Sequence, residues 1–205
     1  VAHWLDINRG NRFTKLSSNA TKAKGLESHI KHYGGENHPN ADVDWDTGDI
    51  ITTTLTTANG ETVIVTLDTT LPRPYSLGFR AQGTNGIWQK DNDSIHIRDR
   101  SEPHSWEDFS KYQDEFDSEL WKRNESEAEG AGHGGMDYFV RNAFVEAVKN
   151  QAQTPQDVYD AATWSAIFPL SEESIAQGGE PVEFPDFTSG EWLKNEQIFA
   201  PDGKF

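Results

Sequence analysis

Cysteine is absent from the chain, so neither a disulfide framework nor thiolate chemistry is open to it, and cysteine usage leaves the redox compartment undetermined. Methionine occurs once, at Met136, so Val1 is not a translation start and further sequence is expected upstream. No apolar run approaches the ~18 residues of a membrane span, and no signal-peptide pattern opens the chain. Cations are scarce: 18 Lys and Arg stand against 34 Asp and Glu, a formal net charge of −16. So acidic a surface repels a polyanion, which argues against nucleic acid and for a neutral or cationic ligand. The P-loop, a GxGxxG after a strand, GxSxG and HExxH are all missing, so the chain lacks a recognisable cofactor-binding half.

What is present is globular: 34% hydrophobic and 25% charged residues, with 7 Trp, 11 Phe and 5 Tyr to fill a core. At 205 residues one sizeable domain is expected. Charge is uneven. Residues 1–35 carry six Lys/Arg and two Asp/Glu, whereas residues 99–129 carry four and eleven, which reads as a solvated surface excursion.

The opening "VAHWLDINRG" suggests a short helix stopped at Gly10. Two β-branched runs joined by Asn59-Gly60 predict a hairpin over residues 49–69, because both turn positions favour positive φ. Short strands "SLGFRAQG" and "SIHIRD" flank a turn at Asn85-Gly86, so the middle of the chain reads as an antiparallel sheet. "MDYFVRNAFVEAVKN" has helical spacing. A second helix is expected from a Thr154 N-cap and Pro155 to Gly178-Gly179, kinked or divided at Pro169. A last strand, "EPVEFPDF", follows.

Three segments invite a chemical reading. In "TLPRPYSLGF" the prolines Pro72 and Pro74 restrain Leu71 and Arg73 to extended backbone, so Tyr75 is carried on a stiff strut and is either packed at a sheet edge or presented to a ligand. His133 lies among four glycines before a helix, either a loop feeding an N-cap or backbone N–H groups that meet a ligand oxygen. Asp137 is explained by the helix dipole. His29, His32 and His38 read as a solvated face rather than a metal site. Among 34 acidic residues no pair stands out as glycosidase carboxylates.

"VAHWLDINRGNRF", "TLPRPYSLGF", "PHSWE", "GHGGMDYFV", "DVYDAATWSAIFPLSEESI" and "VEFPDFTSGEW" together resemble the carboxy-terminal domain of the NAD-dependent α-N-acetylgalactosaminidases, glycoside hydrolase family 109 of the larger Gfo/Idh/MocA superfamily. The resemblance implies an α+β fold: an open-faced, mainly antiparallel β-sheet with helices packed on one face. Residues 1–205 would then be a single substrate-binding and dimerisation domain. NAD is expected on an amino-terminal Rossmann domain absent from this chain, and the family's catalytic Tyr-Pro-Thr-His just upstream of Val1, so no catalytic residue is assigned here. In that family NAD takes hydride from the sugar C3 and acidifies the C2 proton; elimination expels the aglycone, water adds, and hydride returns.

Carried onto this sequence, the family's "LPRPYS" tyrosine is Tyr75, lining the sugar site beside Arg73, and its "GHGG" segment brings His133 near the cleft. The substrate implied is an N-acetylgalactosaminide or related sugar, and the isolated chain is expected to be inactive. A sugar dehydrogenase domain of the same superfamily and a non-catalytic oligomerisation module are the alternatives. Apolar residues on both sides of the strands, such as Leu55 against Ile50 and Val63 against Ile64, predict a homo-oligomer. Family habit suggests an exported or periplasmic enzyme.

Overall fold

The computed structural model describes residues 1–198. Along the chain run β1 (Phe13–Ala20), α1 (Gly25–Gly34), β2 (Ile50–Thr57), β3 (Thr62–Asp68), β4 (Arg80–Gly83), β5 (Gly86–Gln89), β6 (Ser94–Ile97), β7 (Glu107–Asp108), α2 (Gln113–Phe116), α3 (Glu119–Ala128), α4 (Met136–Lys149), α5 (Val158–Ala176) and β8 (Val182–Glu183). The class is α+β with antiparallel pairing, as expected, but the strands form two four-stranded sheets. The described residues group into two compact units, one of residues 1–72 and 143–198, the other of residues 73–142. Among the described residues no helix is long and apolar enough to cross a membrane.

In the first unit the strand order is β3-β2-β1-β8, and α5 lies on β1. Register sets Leu16 opposite Leu55, and Leu55 opposite Val63, on the inward face. There Leu16 and Leu55 join Ile7, Phe13 and Phe184 in the core, with the Phe13 and Phe184 rings 5.4 Å apart. Beside this apolar cluster runs a seam of hydroxyls. Buried Ser18 and Thr53 meet at 2.7 Å, both meet Ser171 of α5, and the Ser18 N–H donates to Ser174 Oγ. The outward face carries Ile50 and Ile64, as expected, but among Thr52, Thr54, Thr56, Thr62 and Thr66, so it is mainly a threonine surface. Threonine keeps the β-branched stiffness a strand favours and hydrates its hydroxyl, whereas the exposed Ile64 gains nothing from water.

Local chemistry corrected several boundaries. The opening helix is only a 3₁₀ turn, Ala2–Leu5, because Asp6 turns left-handed at φ 51° and ends it four residues before Gly10. The histidine segment 29–32 lies in α1, whose first N–H groups, from Lys24 and Gly25, donate to the Asp49 carboxylate at 2.9 and 2.7 Å. The Asn59-Gly60 hairpin forms, with Gly60 at φ 98°. α5 begins three residues later than Thr154 predicts, since Asp157 makes a full capping box, accepting from the Tyr159 and Asp160 N–H groups while Asp160 accepts from the Asp157 N–H. Pro169 does not divide α5, which runs from Val158 to Ala176 with the proline on its exposed side. The final strand shrinks to Val182–Glu183.

In the second unit the order is β4-β5-β6-β7. The residues after Asn85, expected to be a turn, are themselves β5, with Gly83 and Gly86 closing a two-residue turn. A Cβ on Gly86 would stand 2.3 Å from the His96 carbonyl oxygen, so only glycine fits. The acidic run is folded rather than a loose excursion. Glu107 accepts from Ser101 and Tyr112 hydroxyls at 2.6 and 2.7 Å, and these bonds hold its carboxyl below the usual range. Arg100 grips Glu115 through two 2.8 Å bonds with its guanidinium over the Tyr112 ring.

The N-terminal segment is fixed by one buried pair. Both terminal nitrogens of Arg9 donate to the Asp160 carboxylate, at 2.8 and 2.7 Å, and Asn8 Nδ2 adds a third donor at 3.2 Å. Burial pushes the Asp160 carboxyl up, but the bonds from Arg9 and the Asp157 N–H outweigh it and the net direction is down. A depressed carboxyl contributes stability that is present above its unfolded value and lost as pH falls through its folded one. Arg9→Ala should cost about 3–5 kcal/mol in urea denaturation, because it leaves a buried charge unpaired. In the parent chain the contribution of Asp160 should fade below about pH 4, and Asp160→Asn should flatten that part of the acid profile.

Candidate active-site surface

Residues 72–79 form neither helix nor strand, as two prolines require. The segment is nonetheless clamped. Ser76 Oγ donates to the Asp91 carboxylate and accepts from the Gly78 N–H at 2.8 Å, and the Phe79 carbonyl accepts from the Lys90 N–H at 2.8 Å. Arg73 turns back on this loop, donating to the Pro74 and Ser76 carbonyls at 3.1 and 3.3 Å. Between these ties Tyr75 stands out with 88% of its surface exposed. The ring is therefore not packed at a sheet edge.

His133 lies in a glycine run that enters α4 through a 3₁₀ turn, His133–Gly135. Its backbone is left-handed, φ 54°, followed by Gly134 and Gly135, also at positive φ. Its Nδ1 lies 2.9 Å from Asp137 Oδ1. A carboxylate accepts only, so Nδ1 carries the proton in this bond. Gly132 makes room for that carboxylate, since a Cβ there would meet Asp137 Oδ2 at 2.7 Å.

Beside the glycine run opens a cleft of about 730 Å³, lined by Trp121, Glu125 and Glu129 together with Gly132, Gly134 and Gly135. Trp121 is braced from behind by Phe139, their rings stacked 4.8 Å apart. His133 is not among the lining residues, although its neighbours are. Trp121, Glu125 and Glu129 were not singled out from the sequence, where they fell inside an acidic run. The available signal was a Ser118 N-cap and the Gly130 that follows the helix, which together bracket α3, Glu119–Ala128, as a helix feeding the glycine loop. No hydrogen bond or ring contact joins Tyr75 to His133 among the described residues.

The glycine run does not suit the dinucleotide that the resemblance implies. Helix α3 precedes it, not a strand, and the carboxylates of Glu125, Glu129 and Asp137 surround it where phosphates would need cations or bare N–H groups. No step through NAD is therefore assigned to these residues. Of the histidines weighed for metal, His29 and His32 pack against the Tyr33 ring, and His38 Nδ1 accepts from the Asn40 N–H.

The chain matches the family model described as "Glycosyl hydrolase 109, C-terminal domain" over residues 1–194. It is 57% identical over 205 residues to a "Glycosyl hydrolase family 109 protein" of Stenotrophomonas maltophilia (strain K279a), covering 100% of this chain and 45% of that protein. To the "Alpha-N-acetylgalactosaminidase" of Tannerella forsythia it is 50% identical over 200 residues, 98% of this chain and 43% of that one. Among solved structures, levoglucosan dehydrogenase in complex with NADH and levoglucosan shares the fold at a TM-score of 0.58 and 15% identity, covering 85% of this chain and 46% of that one. An oxidoreductase domain protein from Kribbella flavida does so at 0.55 and 12%, covering 90% and 50%. At such identities the likeness is one of fold. The chain spans less than half the length of the curated relatives it matches.

The glycine run yields a stability test. A Cβ on Gly135 would press to 3.2 Å on both Ala128 and Trp121 at φ 97°, whereas Gly134 has nothing within 4 Å. Gly135→Ala should cost about 1–3 kcal/mol and Gly134→Ala less, read as thermal midpoints.

Proposed function

The chain belongs to glycosyl hydrolase family 109, as its C-terminal domain, and from that premise we propose that it supplies the substrate-facing surface of an α-N-acetylgalactosaminidase. The observation that carries the reading is Tyr75: a phenol held out in solvent on a proline-stiffened loop that is tied to the residues around Asp91 just after the ring. Its hydroxyl both donates and accepts, so it can orient one sugar hydroxyl, and its ring can shield one face of the sugar from water. Because the prolines and the Arg73 bonds fix the loop beforehand, little entropy is left to lose on binding. Arg73 thus acts from behind the ring, as the loop's brace. His133 offers a second polar ring, oriented by the bond from its Nδ1 to Asp137. The surrounding acidity favours a neutral glycoside over an anionic one. NAD, whose nicotinamide would supply the hydride chemistry, would be held by the part of a family 109 chain that lies outside this match.

The isolated chain with added NAD should release no aglycone from a chromogenic α-N-acetylgalactosaminide; release would overturn the division of labour. In a chimera joining these 205 residues to the unmatched part of the Stenotrophomonas relative, turnover should appear, and Tyr75→Phe should lower kcat/KM roughly tenfold. Unchanged turnover would reduce Tyr75 to a surface residue. Net NADH accumulation would point to a dehydrogenase.

We also propose self-association through the outward face of β2 and β3, where Ile64 is 68% exposed among threonines. Light scattering should report an oligomer that Ile64→Lys dissociates. A stable monomer in the unsubstituted chain would overturn this.

A further inference from the structure

Helix α5 has a second apolar face that nothing in the first unit covers. Its inward side is accounted for: Asp160, Thr163, Ser171 and Ser174 are buried in polar contacts, and Ala166, Ile167 and Leu170 pack on the core. On the outward side, Val158 is 71% exposed, Phe168 63% and Trp164 37%. Trp164 and Phe168 are four residues apart and so lie one above the other. The exposed Ser165 and Glu172 rim them with polar groups. Aromatic anchors inside a polar rim are the make-up of a protein contact and not of a solvated helix, which would carry charge on this side. Within α4, Phe144 and Val148, again four apart, are likewise exposed.

We propose that this outward face of α5 seats the N-terminal portion of a full-length family 109 chain. Two observations choose that occupant over a second copy. The matched relatives carry more than half their length outside this domain, and the solved neighbours carry the same fold as half of a chain or less. The family description makes this the C-terminal part, so the remainder lies on the N-terminal side. The patch is also small: from Val158 to Phe168 it runs about 15 Å along the helix. Self-pairing of separate chains calls for roughly 1,200–2,000 Å² of buried surface, whereas domains of one chain associate through as little as about 600 Å². A covalent link supplies the difference by raising the local concentration of the partner. The inference rests on family membership and not on the sugar bound, so it can fail while the glycosidase reading stands.

The test is hydroxyl-radical footprinting of Trp164 and Phe168 in the isolated chain and in the chimera with the Stenotrophomonas relative. Both side chains should be oxidised freely in the isolated chain and be protected several-fold in the chimera. Phe168→Glu should lower the thermal midpoint of the chimera by several degrees and leave that of the isolated chain unchanged. Equal labelling in the two proteins would overturn the proposal, as would protection in the isolated chain that grows with concentration, the mark of a second copy. An equal loss of midpoint in both proteins would make Phe168 a core residue. A chimera that does not fold also counts against it, since a face shared with the relatives should accept their remainder.

Discussion

The bidentate contact between Arg9 and Asp160 is the constraint on which the first unit hangs. It crosses about 150 positions of sequence to tie the irregular N-terminal segment to the first turn of α5, and Asp160 simultaneously completes the cap of that helix. One carboxylate thus starts a helix, neutralises a buried cation and sets where Ile7 enters the core. Such a pair adds little net stability compared with apolar replacements, but its geometry permits one arrangement of the segment only. The left-handed turns at Asp6 and Asn8 are the local strain that this arrangement requires.

Elements whose cause is local were legible in the sequence. The β2–β3 hairpin follows from Asn59-Gly60, and the extent of α4 from its own periodicity. Misread positions were those where a distant group decides. Thr154 is a sound N-cap by type, but Asp157 prevails because Arg9 holds its partner Asp160. Pro169 breaks helices by rule, yet α5 carries it on its exposed side without dividing. The division of the strands into two sheets leaves no periodic trace. Neither does the hydroxyl seam, since Ser18, Thr53, Ser171 and Ser174 each read as surface residues until the first three are seen to bond one another and Ser174 to bond the Ser18 N–H and the Glu180 carbonyl.

The candidate site shows the same division. The stiffness of the Tyr75 loop could be read from two prolines, but the bonds of Ser76 to Asp91 and of Phe79 to Lys90, which hold the chain just after the ring, could not. The acidic region concealed more. Its carboxylates look like solvating charge, but Glu107 and Glu115 are internal ties, and α3 brings Trp121 to a glycine-lined cleft. Charge density alone does not distinguish a solvated run from a folded one. What distinguishes them is whether tyrosine, serine and arginine lie at reach of the carboxylates.

The hydroxyl seam beneath α5 has an effect on the opposite side of that helix. Apolar packing alone tolerates sliding, because one methyl group serves nearly as well as another. Three hydroxyls that must find each other, and a fourth that bridges the Ser18 N–H and the Glu180 carbonyl, do not: displacing the helix by a single residue would strand buried donors at about 1–3 kcal/mol each. The seam therefore works as a detent, and the aim of Trp164 and Phe168 on the far side is inherited from serines and threonines that never touch what those rings meet.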